Sequence, residues 1–254
     1  MRLVNRLLFR RVTKVVALSD DMRQFLLKNR PLLSKDQVEV IYNWHHGETD
    51  LDDYDPSGSA LVSQLKSEGD FVVSYIGNMG ICQELDTIVD AIRQLRDEPH
   101  IKFLVAGLGS GMEVLRRAVV AEGLRNVTIL GFLGGYDLKA ALAASDCFVL
   151  SLAKGLTGLC FPSKLYSYMM AGRPVVAIVD RHSCLAKEIM DSELGLAVEI
   201  GDGRGLADSV RLLMADESKR LRMGANCRAV YEERYDRLIG TAKYVSMVAE
   251  VLGV

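Results

Sequence analysis

Residues 160–176 read CFPSKLYSYMMAGRPVV. Proline has a fixed φ and no N–H, so Pro162 suits the first position of a helix, and Gly172 suits the residue just past its end. Between them lies a helical pattern of about two turns. The β-branched run that follows, PVVAIV at 174–179, reads as a buried strand. A helix begun and ended so abruptly and followed at once by a strand is half of a strand–helix–strand unit. Its first N–H groups have no intrahelical partner and carry partial positive charge, Lys164 adds a full one, and Ser163 adds a hydroxyl. This helix start therefore favours an anion, while taken without the surrounding loops Lys164 reads rather as a solvated surface lysine.

Working outward, the same alternation runs through the chain from Phe71 onward. Strands are expected at FVVSYIG (71–77), IKFLVAG (101–107), VTIL (127–130), CFVL (147–150), PVVAIV and LAVEI (196–200). Helices are expected near 85–95, 112–121, 136–144, 163–170, 185–190 and 205–214, with further helix through 218–235 and a break at Asp236. This rhythm predicts an α/β fold, a doubly wound parallel sheet covered on both faces. Ahead of it, KVVALS, DDMRQFLLKN and QVEVIYN form one strand–helix–strand piece over residues 1–43, separated by an acidic, turn-rich linker at 44–59. One such unit cannot cover its own sheet, so it calls for more sheet from a preceding domain or a partner chain. The units expected are therefore 1–43, the linker 44–59, a domain over 60–235, and a C-terminal helix at 236–254 packing back on the N-terminal piece.

Composition narrows the function. With 254 residues and 49% hydrophobic content the chain can bury a sizeable core. A net charge of -2 gives no global attraction for nucleic acid, so any phosphate must be held locally. The five cysteines are scattered and never form a C-x-x-C pair, which fits reduced thiols in a cytoplasmic setting. Cys147 reads as core, whereas Cys160 precedes a helix start, a place that can lower a thiol's pKa, but with no histidine close in sequence to serve as its base a nucleophilic role is disfavoured. The opening MRLVNRLLFRRVTK is basic and amphipathic, without a cleavage site or a long apolar run. It reads as a surface helix that leaves membrane-surface contact open, at the inner membrane face.

In doubly wound sheets ligands bind beyond the carboxyl ends of the strands. Three glycine-rich turns fall there. YIGNMGICQEL places Gly77 and Gly80 around Asn78, which suits a diphosphate approached by backbone N–H groups as well as it suits a tight turn. VAGLGSGME, with Gly107, Gly109 and Gly111, gives G-x-G-x-G rather than the dinucleotide spacing. The next strand also ends without the acidic residue that would hold a ribose, which argues against a nicotinamide or flavin oxidoreductase. LGFLGGYDL is the third such turn.

Taken in order, VVALSDDM, VEVIYNW, VSYIGNMG, IKFLVAGLGSG, NVTILGFL, ASDCFVLS, PSKLYSYMMAGRPVVA, GLAVEIGDGRGLADSV and RLRMGANCRAVYEERY resemble the second half of a family 4 glycosyltransferase of the GT-B fold, in the exopolysaccharide and colanic-acid-type branch. The resemblance implies a donor-binding half that holds a nucleotide sugar, UDP-linked by default. It also implies transfer with retention, without metal or other cofactor, to a saccharide or lipid-linked acceptor held by a domain of which residues 1–43 are the last piece. By position it implies that Gly77, Asn78, Gly80, Ser163, Lys164 and Leu165 meet the donor diphosphate. The base and ribose fall to the second glycine turn, with Gly107 and Gly109, and to Phe132, Leu133 and Ser167. Two departures stand out. Relatives often carry glutamates where this chain has Leu159 and Ser167, and an Arg and a Lys where it has Gln83 and Glu84. Those losses keep a second reading open, a nucleotide-sugar-binding or regulatory subunit without transfer activity.

Overall fold

The computed structural model describes residues 9, 11–44, 51, 52 and 54–254. The N-terminal piece consists of β1 (Val15–Ala17), α1 (Asp20–Asn29), a short 3-10 turn (Lys35–Gln37) and β2 (Val38–Val40), with β1 and β2 parallel. Most of the basic segment before it, including Arg10, lies outside the described residues, as does much of the linker. At the linker's far end stands α2 (Ala60–Leu65), capped by the Ser59 hydroxyl, which accepts from the Val62 amide at 3.3 Å.

Six parallel strands follow, each but the last trailed by one helix. They are β3 (Phe71–Ile76), α3 (Asp86–Gln94), β4 (Ile101–Ala106), α4 (Ser110–Glu122), β5 (Val127–Leu130), α5 (Gly135–Ala144), β6 (Cys147–Ser151), α6 (Lys164–Met170), β7 (Val175–Ile178), α7 (Cys184–Asp191) and β8 (Gly195–Val198). Then come α8 (Gly203–Ala215), α9 (Glu217–Val230), a wide π turn (Tyr231–Tyr235) and α10 (Arg237–Leu252). The order in the sheet is β5-β4-β3-β6-β7-β8. The chain thus winds outward from β3 in one direction, then returns to the centre and winds outward in the other from β6. Where the two halves meet, the loops after β3 and β6 diverge to opposite faces and leave a crevice.

Both faces of the sheet are buried, so the strands are apolar without interruption, and alternate residues sort to opposite sides. Val72, Leu104, Phe148 and Leu150 join one core under α5 and α6, while Val73, Phe103, Val105 and Val149 join the other under α3 and α8.

The opening helix differs from expectation at its start. Pro162 does not occupy its first position. Ser163 is the residue before the helix (φ -60°, ψ -23°), and the Leu165 amide donates to the Pro162 carbonyl at 3.1 Å, so proline opens a tight turn and α6 begins at Lys164. The stop is as expected, because Gly172 is left-handed (φ 65°) and its amide bonds the Met169 carbonyl at 3.0 Å.

At the other end of the chain Asp236 breaks the helix and caps the next, its carboxylate accepting from the Leu238 amide at 2.7 Å. Helix α10 then lies beside the N-terminal piece. Glu250 pairs with Lys14 at 2.8 Å, and Tyr244 meets Trp44 edge-on at 6.2 Å. Among the described residues no helix is long and apolar enough to cross a membrane.

Candidate functional site

A cleft of about 630 Å³ opens at the crevice between the β3 and β6 halves of the sheet. Its floor is the first glycine turn, one wall is α6, and the other is the loop after β5. Of the residues singled out in the sequence, Gly77, Asn78, Gly107, Phe132, Leu133, Ser163, Lys164 and Ser167 line it, and Gly80, Gly109 and Leu165 do not.

Helix periodicity explains the α6 wall. Lys164, Ser167 and Tyr168 stand three and four positions apart and share the face turned to the cleft, while Leu165 and Met169, both fully buried, face the core. Lys164 is held at its tip. Its ammonium donates to the Asn78 carbonyl at 3.1 Å and sits 3.7 Å above the centre of the Tyr75 ring. Burial pushes its pKa down to about 7. A half-buried lysine with no carboxylate paired to it among the described residues gains from an incoming anion.

Backbone amides contribute less than the glycine pattern promised. The Gly77 amide donates to the Ala106 carbonyl at 2.8 Å, and the Met79 amide donates to Leu108 at 2.7 Å. The Gly80 amide donates to the Gln83 side chain at 2.8 Å, and the Leu165 amide is engaged by Pro162. Of the anion-binding groups read from the sequence, the ones that reach the cleft are Asn78, Ser163 and above all Lys164.

Glycine at 107 and 109 answers to a different demand. A Cβ on Gly107 would lie 2.0 Å from the Gly77 carbonyl oxygen, and one on Gly109 would lie 2.4 Å from that of Met79. Both residues also hold positive φ, at 145° and 131°. These glycines let the second turn pack against the backbone of the first and so fix the cleft floor.

The departures noted in the sequence have structural occupations. Gln83 holds the Gly80 amide, and the Glu84 carboxylate accepts from the Thr87 amide at 3.1 Å, capping α3, whose own cap position, Leu85, has no polar side chain. Leu159 is 45% exposed and stands outside the cleft, whereas Ser167 lies within it. The helix start does not lower the Cys160 thiol, since burial and the neighbouring Cys82 thiol push its pKa up. Cys147 is fully buried, as read.

Three contributors escaped the sequence reading. Asn43 and Trp44 reach the cleft from the N-terminal piece, at what reads as the start of a linker. Tyr168 stacks on Phe148 at 4.2 Å, and its hydroxyl both accepts from the Ile76 amide and donates to the Ile76 carbonyl, each at 2.9 Å. The signal for Tyr168 was its place four residues beyond Lys164. Among the described residues no group of three or more His, Cys, Asp or Glu side chains is arranged to hold a metal ion.

A doubly wound sheet in the order β5-β4-β3-β6-β7-β8, with a cleft at its switch point, is the α/β architecture of the GT-B fold. The family described as glycosyl transferases group 1 matches residues 70–216, more than half of the chain, and the protein belongs to that family. A probable glycosyltransferase, WbjE, of Pseudomonas aeruginosa is 24% identical over 96% of this chain and 62% of its own length. The putative colanic acid biosynthesis glycosyl transferase WcaI of Escherichia coli is 31% identical over 63% of this chain and 37% of its own. The chain thus spans less than two thirds of either relative. In fold it is similar to Alr3699/HepE of Anabaena, solved in complex with UDP-glucose, with a TM-score of 0.79 at 20% identity over 98% of this chain and 67% of that one. Sucrose-phosphate synthase from Thermosynechococcus elongatus superposes with a TM-score of 0.76 at 18% identity, over 99% and 61%.

Proposed function

We propose that the chain is the donor-binding half of a retaining glycosyltransferase of the exopolysaccharide type, and that the cleft takes a UDP-sugar. The single observation that carries this reading is Lys164, a half-buried lysine on the cleft face of α6, whose ammonium is held against the first glycine turn at the switch point of the sheet. In this reading the diphosphate lies along Asn78, Ser163 and Lys164, beside the first glycine turn with Gly77 and Gly80. Leu165 anchors the helix in the core. The uracil sits at Phe132, which is 74% exposed at the cleft edge, and at Leu133, above a floor built by Gly107 and Gly109. Ser167 faces the ribose. As the glycosidic bond to the donor breaks, negative charge grows on the departing diphosphate, and Lys164 neutralises it without a metal ion. HepE, solved with UDP-glucose, supports the choice of nucleotide.

On the same reading residues 1–43 close an acceptor-side domain, 44–59 link it to the donor domain at 60–235, and 236–254 tie the two together. The acceptor, a saccharide or a lipid-linked one, sits on that other side, in the same chain or in a partner, at the cytoplasmic membrane face. Calorimetric titration with UDP-glucose and GDP-mannose tests donor binding, with UDP-glucose expected to bind and Lys164→Ala to abolish it. No heat or thermal stabilisation with any nucleotide sugar at millimolar concentration overturns the proposal. Because Leu159 and Ser167 replace the glutamates of relatives, a binding subunit without transfer activity is the second reading. Donor binding with no transfer after the acceptor-side domain is supplied favours that reading.

A further inference from the structure

A second pocket, of about 340 Å³, lies between α1 and α7 on the far side of Phe161 from the cleft. We propose that it is a binding site for a small organic cation, an alkylammonium group. Its walls carry the rings of Tyr42, Phe161 and Tyr235 and the carboxylates of Asp20, Glu188 and Asp191.

The acids differ in their reasons for being there. Asp20 stands in the first turn of α1, where a carboxylate complements the helix dipole, and it accepts from the Tyr42 hydroxyl at 3.4 Å. Glu188 and Asp191 stand in the last turn of α7, where the same dipole opposes them. Glu188 is half-buried and offset by Arg234 at 2.9 Å, whereas Asp191 is exposed at the pocket rim and has no ion pair or hydrogen bond among the described residues. Lys187 also borders the pocket, on the exposed side of α7.

Independently of the acids, Tyr235 is 3% exposed, and its hydroxyl, bonded to no other described residue, is not among the sealed polar atoms and so opens on the pocket it lines. It closes the π turn, a widening of helix frequently found at functional sites. Tyr42 stands edge-on to Tyr235 at 5.0 Å and tilted to Phe161 at 6.2 Å, so the pocket offers aromatic walls as well as charge. Asp20, Glu188 and Asp191, set against Lys187 and the Arg234 paired to Glu188, leave the surrounding side chains with one formal negative charge. Burial first, then the charges of Asp20 and Glu188, push the Tyr42 hydroxyl up to about 12. An alkylammonium satisfies all three features together, packing its carbons and charge against the rings while its N–H groups donate to Asp191 and to the Tyr235 oxygen. A neutral polyol would meet the hydroxyl and leave the charge uncompensated.

The test uses the 254-residue chain and putrescine, by thermal shift and calorimetry, with 1,4-butanediol as the uncharged isostere and sodium chloride at matched ionic strength. Putrescine is expected to bind saturably and raise Tm where neither control does. Asp191→Asn is expected to weaken binding about tenfold, and Tyr235→Phe to weaken it several-fold, with UDP-glucose binding unchanged in both as the check on folding. Equal stabilisation by butanediol or by salt overturns the proposal. So does the absence of saturable binding, or Asp191→Asn binding as tightly as the parent.

Discussion

Lys164 is the side chain whose protonation the cleft controls most directly. Its pKa in the free protein, about 7, lies below its ordinary value because burial disfavours the charge. A bound diphosphate favours the charged form, so binding above pH 7 draws in a proton. Affinity for UDP-glucose should be full below pH 7 and weaken by about tenfold per pH unit as pH rises past it. Calorimetry in buffers of different ionisation enthalpy measures that proton directly. Lys164→Arg, always charged, should bind with a flat profile across the same range. The residue scale also holds the glycine constraint. Gly107→Ala drives a methyl against the Gly77 carbonyl at a positive φ, and should lower stability by about 2 kcal/mol or more, read as a fall in Tm.

At the scale of elements the sheet was the most legible part of the sequence. Both faces are covered, so each strand announces itself as a short β-branched run, and all six lie where the pattern puts them. The helices between them agree to within about two residues. What escaped was whatever depends on side chains arriving from elsewhere. Helix α2 is a single short stretch marked only by its Ser59 cap, beyond a linker whose composition hides it. The anion-binding amides of the first glycine turn looked available because sequence does not reveal that Ala106, Leu108 and Gln83 engage them. Lys164 was visible as a charge but not as a half-buried one, since Tyr75 beneath it comes from β3, far away in sequence. Tyr168→Phe isolates one such long-range contact. It leaves the Ile76 amide and carbonyl without their partner and should cost about 1–3 kcal/mol in denaturant unfolding.

For the whole molecule, the contacts of α10 tie the two ends of the described chain together. A Cβ on Gly240 would lie 2.4 Å from the Trp44 ring, so Gly240→Val should push α10 off the N-terminal piece. Trp44 also lines the cleft, so the expected result is weaker UDP-glucose binding together with a lower Tm. A Gly240→Val variant that kept both would uncouple that helix from the site.

The hydroxyl of Tyr168 has a mechanical consequence. Odd-numbered residues of β3 turn their backbone groups to β4, as the Phe71 amide does to His100 and the Gly77 amide to Ala106. Even-numbered ones turn the other way, as the Val72 carbonyl does in accepting from the Asp146 amide at 2.8 Å, and the register with β6 ends at Ser74 opposite Phe148. Beyond that point the strands part, and one phenol stands in for the absent strand by meeting both polar groups of Ile76. The tip of β3 is thereby riveted to α6 across the split. The exchange rate of a single amide, that of Ile76, is therefore expected to gauge how firmly the crevice is held.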